Sequence, residues 1–257
     1  MRAALFIILV AAMACSRCSA QSVRVSVIDR LEGEAQPGDT EAQYLQGMQL
    51  DDRGDYEQAV QWYRRAANAG YAPAQVNLGR LYDRGRSVTQ GKSEAVRWYR
   101  RAAEQGNVDG EFDLATSYAL GEGVAKDGGE VLRRFSRTVD QRDGESARSL
   151  GIIYDLGTVL PQNDFEARRW FLKGAELGSR LSQYDICRLE AQGLGGNTDY
   201  TDALRWCVEA ANQGSSWGMF GAGNIYLEGL GVKKDEAKAA EYYHRSATWE
   251  MPLHSSC

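Results

Sequence analysis

The chain has 257 residues and a formal net charge of −5. An acidic surplus repels phosphate, which argues against nucleic acid or an anionic membrane as the main partner. Four prolines in the whole sequence suit an all-helical protein, and no stretch beyond residue 20 resembles a transmembrane span.

Met1-Arg2 supplies a short positive start, and Ala3 to Ala14 is an apolar run too short to cross a bilayer comfortably. Cys18-Ser19-Ala20 then forms a small-x-small cleavage site, so residues 1–20 read as a signal peptide with Gln21 as the mature start. Nothing in this segment matches the repeat described below, which weighs against a buried first helix. A second export reading lipidates Cys15 after cleavage at Ala14. Ala12 stands where such sites prefer leucine, so this alternative is the less favoured. Both readings place the chain outside the cytoplasm, periplasmic or secreted. Residues 21–38 read as an extended segment and linker: Val23, Val25 and Val27 alternate with polar residues, and Gly33 to Thr40 is linker-like.

From residue 39 to residue 250 the sequence repeats itself. Trp62, Trp98, Trp170 and Trp206 are separated by 36, 72 and 36 residues, with Arg134 and Tyr242 on the in-phase positions. Leu78, Leu114, Leu150, Ile186 and Ala222 form a second ladder. Tyr82, Tyr118, Tyr154 and Tyr226 run beside it, interrupted by Glu190, and Gly85, Gly121, Gly157, Gly193 and Gly229 form a third. Such a period signals stacked supersecondary units rather than one globular core.

Ala72 to Asn107 shows the unit in full. Ala74, Leu78, Leu81 and Tyr82 lie on one helical face, and Gly85 can end that helix in the left-handed region without a Cβ penalty. The connectors Gly121-Glu122-Gly123-Val124 and Gly229-Leu230-Gly231-Val232 permit a tight reversal, with a valine that folds back between the helices. The second helix opens on a cap: Asp55 with Gln58, Asp127 with Glu130, and Asn163 with Glu166 have capping-box spacing. In that motif the Glu or Gln returns a bond to the cap's own N–H. Asp199 and Asp235 keep the cap alone. Ala95, Trp98, Tyr99, Ala102 and Ala103 form the apolar stripe of the second helix, and Gly70, Gly106, Gly178 and Gly214 close it. A hairpin of this kind cannot bury both faces alone, so stacking is expected to turn the tryptophans into buried seams.

The run Ala74…Leu78-Gly79…Tyr82…Gly85 followed by Ala95…Trp98-Tyr99…Ala102-Ala103…Gly106 resembles the Sel-one-like repeat, a relative of the tetratricopeptide repeat. The resemblance covers about Asp39 to Trp249 in six units. It implies an all-α, right-handed superhelical solenoid of about six stacked helix-turn-helix repeats of 36 residues, with residues 251–257 as a C-terminal tail. The units differ among themselves. The first has its first-helix marks 32 residues before those of the second, so its connector is four residues shorter. The third carries Arg134, Thr138 and Val139 in place of Trp and two alanines, and its second helix is expected to pack less well. The fourth replaces the Gly-Val loop by Thr158-Val159-Leu160-Pro161. The fifth has Cys187 where others have Gly79, Gly151 or Gly223.

In the geometry this resemblance implies, Cys187 on the first helix and Cys207 on the second face each other, which makes them a candidate disulfide. Two separate buried thiols are the other reading. Cys257 is left over, for a partner or as a free tail thiol.

His244 and His254 are the two histidines, without companions at metal-ligand spacing. G-x-S-x-G, P-loop and dinucleotide fingerprints are absent from the sequence, and no cofactor is expected. A hydrolase acting on cell-wall fragments would have to draw on Arg80, Asp83, Arg148 and Asp155, the only convergent titratable set. The resemblance instead implies a groove lined by first-helix positions in two rows. One row is Tyr44, Val76, Phe112, Arg148, Tyr184 and Phe220; the other is Met48, Arg80, Thr116, Ile152, Arg188 and Asn224. Aromatic residues interleaved with arginine suit an extended peptide or a glycan. The same rows can equally pack against neighbouring first helices. The chain thus reads as a non-catalytic, exported scaffold for a protein or peptide partner, as relatives in envelope and secretion machinery are. Polysaccharide or cell-wall binding is the alternative.

Overall fold

The computed structural model describes residues 39–141, 143–196 and 198–249. The leader, Cys15, the extended segment before Asp39, His254, Cys257 and the tail lie outside the described residues. Among those described there are twelve helices and no strand, arranged as six hairpins. They are α1 (Thr40–Asp52) with α2 (Tyr56–Asn68), α3 (Ala72–Arg84) with α4 (Lys92–Glu104), and α5 (Val108–Leu120) with α6 (Gly128–Asp140). Then come α7 (Gly144–Leu156) with α8 (Asp164–Glu176), α9 (Arg180–Gln192) with α10 (Tyr200–Asn212), and α11 (Ser216–Glu228) with α12 (Glu236–Trp249). The first connector holds residues 53–55 where the second holds 85–91, which is the four-residue shortening expected from the sequence.

The chain divides into two compact units, the first ending at Gly110 and the second starting at Glu111. In the first, α1 packs on α2, α2 on α3 and α3 on α4. Its core gathers Leu50, Tyr63, Ala67, Ala74, Leu78 and Trp98. In the second, successive helices from α6 to α12 pack in sequence, and the first helices also touch, α7 on α9 and α9 on α11.

The ends of the helices follow local chemistry. Gly85, Gly157, Gly193 and Gly229 are left-handed C-caps with φ between 62° and 70°. Asp55, Asp127, Asn163, Asp199 and Asp235 accept at their side chains from the backbone N–H three residues on. The reciprocal half of the capping box is not made. Each cap N–H already donates to a carbonyl of the preceding helix. Asp127 donates to Tyr118 (3.3 Å), Asn163 to Tyr154 (3.0 Å), Asp235 to Tyr226 (2.9 Å) and Asp55 to Leu50 (2.8 Å). The released side chains bind elsewhere: Glu130 takes Arg133 and Arg134, Glu166 takes Arg169, and Gln58 donates to the Asp55 carboxylate. The connector therefore clips the second helix to the tyrosine turn of the first.

Within a hairpin the two helices close over a small residue. A Cβ on Gly79 would stand 2.6 Å from the Tyr99 ring, and the same holds at Gly47 under Tyr63 and Gly223 under Tyr243. Trp98 and Trp206 are buried, whereas Trp62 and Trp170 are half-buried, so the tryptophan seam is only partly closed. Arginines cover the rings: Arg65 over Trp62, Arg101 over Trp98, Arg169 over Trp170 and Arg205 over Trp206, at 4.5 to 5.4 Å.

In the third hairpin the weaker packing expected of the second helix shows in its docking on α7, the slightest between consecutive helices from α6 to α12, and not in burial. Its second helix buries Val131, Phe135, Thr138 and Val139 as fully as its neighbours bury their alanines. Arg134, in the tryptophan position, is tolerated because the Glu111 carboxylate receives it at 2.7 Å. Glu111 is 2% exposed and also binds Arg137 at 3.0 Å.

Candidate functional site

In the first unit the two rows come apart. Val76 is 2% exposed and belongs to the interior, so it lines no groove. Tyr44 is half-buried between the rings of Tyr63 and Tyr71, with centroids at 5.9 and 5.3 Å, and burial pushes its hydroxyl above the ordinary tyrosine value. Met48 lies at the surface. Arg80 pairs with Asp109 at 3.3 Å, and Asp83 with Lys92 at 2.9 Å.

In the second unit, Phe112 meets Phe135 edge-on at 5.3 Å, and the Thr116 hydroxyl donates to the Phe112 carbonyl. Ile152 packs against the core around Ile186 and Cys187. Two ion pairs tie α7 to α9, Arg148 to Asp185 and Arg188 to Asp155, both at 2.7 Å. Burial raises the Asp185 carboxyl above its ordinary value, against the pull of Arg148. All four groups proposed for hydrolysis are thus held in ion pairs, two in each unit.

Beyond this ladder the surface changes character. Tyr184 on α9 leans on Trp217 of α11, with ring centroids 6.0 Å apart and planes at 35°. Phe220 follows Trp217 by one turn and touches Tyr243 at 5.6 Å, and Asn224 accepts from the Tyr243 hydroxyl at 2.6 Å. Trp217 is 58% exposed and Phe220 48% exposed. Trp217 stands outside the two rows read from the sequence. Its signal was available: it lies three residues before Phe220, one helical turn away, so the two aromatics share a helix face.

Cys187 and Cys207 are bridged, with Cα atoms 5.3 Å apart. They occupy the register of Gly79–Tyr99 and Gly151–Phe171, where a small first-helix residue lies under a second-helix ring. Here the small residue and the ring are both replaced by half of a disulfide. A second exchange was flagged in the sequence only as an interruption. Glu190, at the tyrosine position, is 2% exposed and binds Arg168, which stands where other second helices carry Val96, Leu132 or Leu204.

A cavity of about 380 Å³ also opens between α6 and α8, over Trp170; its walls come from second helices alone. Among the described residues no group of His, Cys, Asp and Glu is placed to hold a metal ion, and no helix is long and apolar enough to cross a membrane.

The Sel1 repeat model matches residues 41–71, 72–107, 144–179, 180–215 and 218–248. Residues 108–143, which contain Arg134, are passed over, although they fold as a hairpin like the others. A protective antigen of uropathogenic Escherichia coli with an SLR fold is 35% identical over 86% of this chain, with a TM-score of 0.76. This chain spans 48% of that protein's length. A Sel1 repeat protein from Oxalobacter formigenes is 28% identical over 80% of this chain and 84% of its own, with a TM-score of 0.70. No curated protein matches the sequence. Five matched repeats over most of the chain, on a backbone of all-helical hairpins, place this protein in the Sel1 repeat family.

Proposed function

We propose that the protein is an exported scaffold that binds a protein or peptide partner through the first-helix face of its second unit. Sel1 repeats generally serve as protein-interaction scaffolds, and their fold is typically non-catalytic. The observation that carries the reading is the exposure of Trp217 and Phe220 on α11, beside Tyr184. Aromatic anchors on an accessible face are the residue types that dominate binding energy at protein interfaces. The ion pairs of α7 and α9 are bound to each other, so this reading assigns them to holding the face in shape and assigns no turnover to the groove.

Export is supported by the leader-like start of the sequence and by the Cys187–Cys207 bridge, since disulfides persist in oxidising compartments. The mass of the processed protein distinguishes cleavage before Gln21 from lipidation at Cys15. The partner is sought by capture from an envelope extract on the immobilised protein and on a Trp217→Ala/Phe220→Ala variant. A partner retained by the first and lost by the second is the expected result. Equal capture by both refutes the assignment of this face.

A further inference from the structure

We infer that the Cys187–Cys207 bridge and α11 form a redox-sensitive latch. The helix seats flush on hairpin five only while the bridge is closed, and once seated it shields the bridge from reduction. The first argument is contact. A Cβ on Gly221 of α11 would stand 2.6 Å from the Cys207 Sγ and 3.3 Å from the Cys187 Sγ, so bare backbone rests on both sulfur atoms. One turn earlier, a Cβ on Gly218 would stand 2.9 Å from the Cys207 carbonyl oxygen and 2.7 Å from the Ala210 Cβ. In the other hairpins the register of Gly221 holds a side chain: Asn77, Asp113, Ser149 and Asp185. Asn77 donates to the hydroxyl of Tyr63, which stands in the register of Cys207. Three exchanges thus meet at one point, the two halves of the bridge and the glycine that lies over them.

The second argument is room. A dithiol reductant supplies two electrons and two protons to the bridge. The S–S bond breaks, two thiols form, and the reductant leaves as its own disulfide. Bonded sulfur atoms lie closer together than a non-bonded pair, so two thiols occupy more space than one bridge. Cys187 is 3% exposed and Cys207 0%, and they share their core with Ile186, Leu189, Ala203 and Ala222, which are closed to solvent. A close-packed interior takes up added volume only by shifting. Gly221 has no side chain to turn aside, so the displacement falls on the backbone of α11.

The third argument is access. A thiolate must reach a sulfur atom to attack it, and both are buried while α11 is seated. Opening of the helix therefore precedes reduction. The coupling runs both ways, so whatever holds α11 down also protects the bridge. Trp217 and Phe220 ride on this helix, and Trp217 reaches across to Tyr184 on α9. The latch itself needs no partner; that its release withdraws a binding face rests on the scaffold reading above.

The test follows amide hydrogen exchange in the full chain by mass spectrometry. Exchange in α11 is read as a ratio to that in α10, so that a general loss of stability cancels. Reduction with dithiothreitol should raise this ratio at least about tenfold. Gly221→Ala should raise it similarly with the bridge still closed, because the added methyl pushes from the other side. That variant should also lose its bridge to dithiothreitol at least about tenfold faster than the wild type. The double variant Cys187→Ala/Cys207→Ala lacks both the bridge and the crowding sulfur atoms. Its ratio should stay within about twofold of the oxidised wild type. Circular dichroism checks that each chain is helical. An unchanged ratio on reduction overturns the inference, as does an alanine pair that loosens α11 as much as reduction does. So does a Gly221→Ala chain that exchanges as slowly as the wild type, or loss of helix throughout on reduction. Capture of an envelope partner through Trp217 and Phe220 stands or falls separately, since it is measured on the oxidised chain.

Discussion

Gly151 shows how much of the packing depends on single atoms. It lies under Phe171 so closely that a Cβ would stand 2.5 Å from the ring, and Phe171 is itself buried with no room to retreat. Gly151→Ala is expected to cost about 1–3 kcal/mol in urea unfolding, as overpacking of a filled core does. Glu111 and Arg134 occupy the register of Gln75 and Trp98, and of Gln183 and Trp206. A polar-and-ring pair has thus been exchanged for an ion pair. Glu111→Gln removes the more deeply buried of Arg134's two carboxylate partners and leaves Glu130 at 2.9 Å, so about 1–3 kcal/mol should be lost. Adding Arg134→Trp to the same chain restores the neighbours' pattern, so most of that loss should return. If the double variant is as unstable as the single one, the exchange argument is wrong. Asp185 adds a pH dependence of defined sign. Its folded pKa lies above the unfolded value because burial disfavours the charged form. The folded state therefore keeps the proton longer, and the stability from this group declines as pH rises through the carboxylate range. Relative to Asp185→Asn, the wild type should become less stable between about pH 3 and about pH 6; a difference of the opposite sign would mean that Arg148 prevails.

The hairpin is the level at which these exchanges make sense. A first helix ends at a glycine, the connector's cap N–H returns to a carbonyl of that helix, and the second helix lays an aromatic ring over a small residue. In α9 and α10 the disulfide takes over the last of these tasks. Replacing both cysteines with serine should destabilise the protein by about 3 kcal/mol, the size expected from closing a loop of this length. Cys187→Gly with Cys207→Tyr restores the pair found in the other hairpins and should recover more stability than the serine pair, measured by thermal unfolding without reductant. Equal losses in both variants would show that the cross-link alone matters at this site. The third hairpin makes the same point without a cross-link: it departs from the family pattern over residues 108–143 and still closes, because the buried charge has a partner.

Within each unit, contacts run between neighbouring helices, and a hairpin depends on the next to cover it. Removing residues 214–257 should therefore leave α1 to α10 helical, with an unchanged circular dichroism signal per residue and a lower unfolding midpoint. Loss of helix throughout would indicate a single shared core. The helices, their 36-residue phase, the short first connector and the glycine ends could all be read from the residues, because they follow from neighbours a few positions away. The reading missed what depends on side-chain direction between helices: that Val76 turns inward, that Arg134 meets Glu111, and that Glu190 meets Arg168. The seven-residue connectors of hairpins two to six place their cap N–H groups on carbonyls of the preceding helix, in hairpin five on that of Glu190. That kept Glu130 and Glu166 out of the motif their spacing suggested. Periodicity and local capping were thus enough to define a stack of helical hairpins. Which faces stay open, which charges are matched and where Trp217 stands were settled by the packing of one hairpin on another, since a burial pattern is a property of both surfaces in contact.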